Sequence, residues 1–245
     1  MSSPDKADLA DTSLRAALLI LSLVTGIVDA VSVLGFGVFT ANMTGNVVFL
    51  GFAVAGTSGF SIARSATSLG AFLIGALIGG RLGSAQAGVR RSWLTTVAVC
   101  EAALLFVAAL ASKGFDIGSA KPAYSLYAVI IFMAIAMGLR NATVRQLAVP
   151  DLTTTVLTLT LTGIAADSSL AGGKNPRIWR RVGSVAAMFV GAVVGTLLLR
   201  YGMALPLLLS GVCVLVVTFI YVSQLPSSRK EDNEGRGKQV RIDKR

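Results

Sequence analysis

Two carboxylates in this chain stand where carboxylates are expensive. Asp29 lies about fifteen residues into an apolar run over residues 14–37, some 22 Å along a helix at 1.5 Å per residue. Glu101 lies midway along another run, over 92–112. Insertion scales put the cost of such a group at the centre of a membrane helix near 2.5–3.5 kcal/mol. Each must therefore face protein or water. A carboxylate there serves as a proton or substrate site, or it ties neighbouring helices together. Both readings stand for Asp29. Glu101 is the secondary candidate, because no acid occupies the corresponding place later in the chain.

The most informative stretch is Thr40-Ala41-Asn42-Met43-Thr44-Gly45-Asn46. Small polar side chains and a glycine interrupt an apolar region. Non-helical backbone at membrane depth survives only where protein buries it or water lines it. Asn and Thr also cap helix N-termini, so a half-helix should start here, its positive end open to an anionic group. The structural alternative is a capped turn at the membrane surface. A counterpart follows at Pro150-Asp151-Leu152-Thr153-Thr154-Thr155. Pro150 ends the preceding helix, Asp151 or a threonine caps, and a short helix runs on to Asp167. Arg140 and Asn141 sit at the end of the span before it. Arg140 is a plausible partner for Asp29, or an anion ligand in its own right, or an ordinary anchor. The candidate pathway is therefore Asp29, Asn42, Thr44, Asn46, Arg140, Asn141, Asp151 and Thr153.

The elements that must position these residues are membrane helices. Hydrophobic residues make up 54% of the 245-residue chain and charged residues only 14%, against roughly 25% charged in a soluble domain. Apolar segments at roughly 14–37, 63–80, 92–112, 122–146, 182–200 and 203–223 are long enough to cross a bilayer. Two shorter, more polar segments lie at about 42–57 and 151–167. If both cross, the chain has eight spans and forms a parallel repeat. If both are re-entrant, it has six. With six spans, Arg81, Arg90, Arg91, Arg140, Arg145, Lys174, Arg177, Arg180 and Arg181 share a face with the basic tail. Positive charge is retained in the cytoplasm. The expected fold is thus all-α, with six spans, two short re-entrant helices and both termini cytoplasmic.

The net charge of +10 suggests nucleic acid at first sight. The basic residues sit in short loops and at the C-terminus, where they set topology, so no nucleic-acid partner is expected. Cys100 and Cys213 lie inside apolar runs and read as packing residues. No metal-ligand spacing, His, Walker-type loop or dinucleotide fingerprint is present, so no metal, cofactor or enzymatic activity is expected. Residues 1–13 carry three Asp against one Lys, the wrong charge for a secretory signal, so the first span should be retained after a polar segment. Residues 224–245 read as a charged, disordered cytoplasmic tail.

The chain also repeats itself. Gly26-Ile27-Val28-Asp29-Ala30 is echoed by Gly138-Leu139-Arg140-Asn141-Ala142, and Asn42-Met43-Thr44-Gly45-Asn46-Val47 by Asp151-Leu152-Thr153-Thr154-Thr155-Val156. Arg64, Ser68 and Gly75–Gly79 are echoed by Arg180, Ser184 and Gly191–Gly195. The offsets stay between 109 and 116 residues. Each half, 14–112 and 122–223, holds three crossings, an odd number. The second half is then inserted upside down, the inverted repeat of many transporter folds. The glycine faces favour close helix contacts and would permit a homodimer.

The strings Thr25–Ala30, Phe39–Asn46, Gly138–Ala142 and Asp151–Val156 together resemble the YoaK-like family of bacterial membrane proteins, over roughly residues 14–223. That resemblance implies a six-span protein of the inner membrane and a permease, and it names no substrate. With the repeat and the broken polar segments, it makes a small-solute secondary transporter the leading expectation. A non-transporting membrane subunit or scaffold is the alternative.

Overall fold

The computed structural model describes residues 3–86, 90–147 and 157–225. Eight α-helices account for nearly all of them: α1 (Ser3–Phe36), α2 (Met43–Val54), α3 (Ile62–Ala85), α4 (Arg90–Ala111), α5 (Ala123–Leu147), α6 (Leu157–Ala166), α7 (Ile178–Leu199) and α8 (Ala204–Gln224). Six are long and apolar enough to cross a membrane, with windows at Thr12–Phe36, Ile62–Ala85, Arg90–Ala111, Ala123–Leu147, Ile178–Leu199 and Ala204–Gln224. α2 and α6 are too short. Helix α1 begins at Ser3, so the polar segment before the first span is itself largely helical. Asp151, Thr153 and nearly all of the C-terminal tail lie outside the described residues.

Glycine sets the helix pairs. A Cβ added at Gly191 of α7 would lie 2.0 Å from the Leu23 carbonyl oxygen of α1, and one at Gly195 would lie 2.8 Å from that of Ile27. No side chain fits there, so backbone touches backbone. Because 23 meets 191 and 27 meets 195, α1 and α7 run in the same direction. Helices α3 and α5 pair the same way, through Gly75 on Ile135 and Gly79 on Leu139. The glycine faces that would permit a dimer are thus used inside the chain.

The remaining contacts fix the other directions. Leu14 and Ala17, near the start of the span within α1, cluster with Leu82, Trp93, Leu147 and Tyr221. At the far end, the Phe36 ring lies 5.4 Å from that of Phe115, just before α5. Helices α1 and α5 therefore run oppositely. Arg64, at the start of α3, donates to the Phe36 carbonyl at 3.2 Å, so the segment 37–61, α2 included, leaves and returns at one end of the bundle. An eight-span arrangement would need α1 and α5 to run the same way. Helices α4 and α8 are antiparallel, with Arg90 over the Tyr221 ring and Gly211 against Phe106. Arg15, Arg81, Arg90, Arg91, Arg145, Arg180 and Arg181 gather at the Leu14 end; Arg64, Lys113, Lys121 and Arg200 lie at the other.

Helices α1 and α5 form the centre. Val24, Val28, Val31, Val129, Ile130, Met133 and Met137 are fully buried there. Helices α3 and α7 flank them and turn large apolar side chains outward, among them Leu73, Leu77, Phe189 and Val193. An outward apolar face of that kind suits lipid.

Candidate functional site

Asp29 closes the break in the chain. Its Oδ1 accepts from the backbone N–H of Thr40 at 3.2 Å and of Ala41 at 2.9 Å, and its Oδ2 accepts from the Asn42 side-chain amide. These are three donors that the unwound stretch would otherwise leave unpaired in an apolar setting. The sequence suggested that Asn42 caps the helix behind it. The structure gives it no capping bond; its amide turns to Asp29 instead. Asn46 does a similar task one turn on. Its Oδ1 accepts from Phe39 N–H at 2.8 Å, while its Nδ2 donates to the Phe39 carbonyl at 2.6 Å and to Ser68 at 3.1 Å. Phe39, Phe49, Phe52 and Phe60 pack on one another beside this segment, with adjacent centroids 4.9–6.5 Å apart. Thr44 is exposed and joins neither group.

Arg140 does not meet Asp29. It pairs with Glu101, donating from Nε at 2.6 Å and from Nη2, both to Oε1. Its Nη1 reaches the Leu21 carbonyl and the Thr25 hydroxyl, each at 3.2 Å. Glu101 and Arg140 are only 3% and 2% exposed. The reason for the change of partner is facing. Gly138 and its neighbours turn one side of α5 to α3, which leaves Arg140 on the side toward α1 and α4. Asn141 points elsewhere again. Its Nδ2 donates to the Met137 carbonyl at 2.9 Å, and its Oδ1 is buried without a partner among the described residues.

A cavity of about 50 Å³ leads to the ion pair. It lies between α1, α4, α5 and α8 and reaches from Leu14 and Leu147, at the basic end, to Glu101 and Arg140. Ala17, Leu18, Val97 and Val214 make its walls apolar. The structure thus separates the sequence candidates into two places. Asp29, Asn42 and Asn46 hold the break; Arg140 joins Glu101 at the cavity. The bonds from Arg140 to Thr25 and from Asn46 to Ser68 were not anticipated. A hydroxyl inside an apolar run is too common a signal to single them out.

A family model described as "Protein of unknown function (DUF1275)" matches residues 17–220. The chain belongs to the DUF1275 family. A relative, the UPF0700 transmembrane protein YoaK of Bacillus subtilis (strain 168), is 35% identical over 156 residues. That alignment covers 62% of this chain and 66% of the relative. No solved structure matches. The matched DUF1275 region contains the break held by Asp29 and the Glu101–Arg140 pair.

Proposed function

We propose that this DUF1275 chain is a small-solute secondary transporter or permease of the bacterial inner membrane, with both termini cytoplasmic, and not an enzyme. The observation that carries this reading is the cavity ending on a buried ion pair. Glu101 lies halfway along α4, about 16 Å from its start at 1.5 Å per residue. Ionisable side chains at such depth are costly, and they mark substrate and ion pathways. The gathering of arginines at the end holding the chain's start supports the orientation.

The reading is strengthened by an inverted 3+3 repeat, which we also propose. Three observations support it. The first helices of the two halves, α1 and α5, run oppositely. Each packs on the flanking helix of the other half, α1 on α7 and α5 on α3. The contacts correspond residue by residue: a Cβ at Gly26 would meet the Met188 oxygen at 2.1 Å and Ala192 N at 2.8 Å, and one at Gly138 would meet the Phe72 oxygen and Ala76 N at the same distances. In such folds the helix breaks are re-entrant and the two halves rock about a central site.

The test is flux in proteoliposomes, with uptake of a panel of small solutes followed alongside an internal pH dye. Solute movement that depends on this protein and fails in Glu101→Gln supports the reading. One observation favours the alternative of a non-transporting membrane subunit: the acceptors of Asp29 are taken up by its own chain. Absence of flux across the panel, with stoichiometric co-purification of another membrane protein in mild detergent, would decide for that alternative.

A further inference from the structure

The chemistry of the cavity is more specific than "small solute". A single water fills roughly 10–15 Å³ of such space, so about 50 Å³ admits only a few heavy atoms. The walls are mostly hydrocarbon, with Thr143, Thr218 and Tyr221 among the lining, and the inner end is a guanidinium whose planar fork suits a carboxylate. Arg140 engages Glu101 through one oxygen alone, and its remaining bonds go to a carbonyl and a hydroxyl. The pair as it stands is neutral overall. An anion entering alone would leave a net charge buried among Leu, Val and Ala, which is strongly unfavourable. An anion entering with one proton keeps the site neutral. The titratable groups lining the cavity are Glu101 on α4, Arg140 on α5 and Tyr221 on α8; the lining from α1 is apolar. Asp29, also on α1, is turned to the Thr40–Asn42 break. Glu101 is thus the group placed to take the proton.

We infer that this cavity binds a small monocarboxylate of two or three carbons, held by Arg140, while Glu101 takes up one proton and releases the guanidinium. The balance is simple. The bonds from Arg140 to Glu101 break, bonds from Arg140 to the incoming carboxylate form, and the proton that enters goes to Glu101. The alkyl end rests on the apolar wall. A dianion such as succinate would leave the site one charge out of balance. The inference rests on the transport reading for its purpose and would make the protein a proton–carboxylate symporter, but binding is measured without flux.

The experiment is thermal stabilisation and calorimetric titration of the purified full chain in detergent. The probes are acetate and propionate from pH 6 to 8, where each is ionised, with propionamide and nitrate as comparators. The expected result is stabilisation by the carboxylates, with Kd rising up to tenfold per pH unit, because one proton is taken up per anion bound. Glu101→Gln should bind propionate with that pH slope abolished, since no proton is then needed. Arg140→Gln should lose binding. The inference is overturned if no carboxylate stabilises the wild type, if Kd is flat across the pH range, or if propionamide or nitrate matches propionate. These outcomes are read on the wild type, so they hold even if a variant fails to fold. Proton-linked binding without flux would refute the transport reading and leave the site. Flux of another solute without carboxylate binding would do the reverse.

Discussion

Replacing Asp29 with leucine should unfasten the break between α1 and α2. Leucine keeps most of the volume and removes every acceptor. Three donors lose their partner: the N–H groups of Thr40 and Ala41 and the Asn42 amide. The Asn42 side chain can turn away. The two backbone groups cannot, and each orphaned buried donor costs roughly 1–3 kcal/mol. The expected loss is therefore about 2–6 kcal/mol. Asp29→Asn retains one acceptor oxygen for both N–H groups, and rotation of the Asn42 amide can satisfy its new donors. Only the charge assistance goes, at about 1–2 kcal/mol. Unfolding by SDS in mixed micelles measures both. A cysteine at position 41, with Cys100→Ala and Cys213→Ala as background, reports on the segment itself. It should stay unreactive to an aqueous maleimide beside Asp29 and react beside leucine. If Asp29→Leu matches its parent in the SDS titration and cysteine 41 stays protected, the carboxylate does not hold the break.

The same titration checks three further expectations. Gly138→Ala places a methyl 2.1 Å from the Phe72 oxygen and should cost about 3 kcal/mol or more by forcing α3 and α5 apart; Gly80→Ala meets nothing within 4 Å and should be neutral or stabilising by up to about 1 kcal/mol. Equal effects at the two glycines would contradict the packing. Arg140→Met alone should cost about 3–5 kcal/mol, and adding Glu101→Leu should recover most of it, because a lone buried charge is worse than none; a double variant as unstable as the single one would mean the two charges do not form an isolated pair. In whole cells, cysteines at Ser58 and Ser84 should be labelled from opposite sides of the membrane, as the two ends of α3 require, and labelling from one side would break the six-span arrangement.

The spans were legible because their signal is simple. A run of some twenty apolar residues has few soluble explanations, and the six apolar segments end within about five residues of the spans observed. The break at Thr40–Asn46 was legible for the converse reason, since polar backbone in an apolar region needs a purpose. The partners were less so. The repeat sets Arg140 next to Asn141, the echo of Asp29, whereas helix rotation sends Arg140 to Glu101. The demand for a counterpart in the other half lowered Glu101, although the ion pair has none. Opposite charges at depth in consecutive spans, joined by the short loop 112–122, were the signal that could have found it. Asn42 read as a cap because its type and place suit one; a carboxylate twelve or so residues away in sequence outcompeted the local backbone, as only tertiary structure reveals.

The exchange of helices between α1·α7 and α3·α5 also imposes an order of birth. Ser22 of α1 meets Ser184 of α7 across 162 residues of chain, whereas Gln146 of α5 reaches Gly80 of α3 across only 66. At ribosomal speeds of about 5–20 residues per second, α1 waits roughly 8–30 s for its glycine-bearing partner. During that interval its own small-residue face, Gly26 included, is open to any neighbour in the bilayer. The chain therefore emerges as a clasp whose first jaw stays unlatched until nearly the last helix arrives, and an insertase able to hold α1 aside would shorten the list of wrong companions.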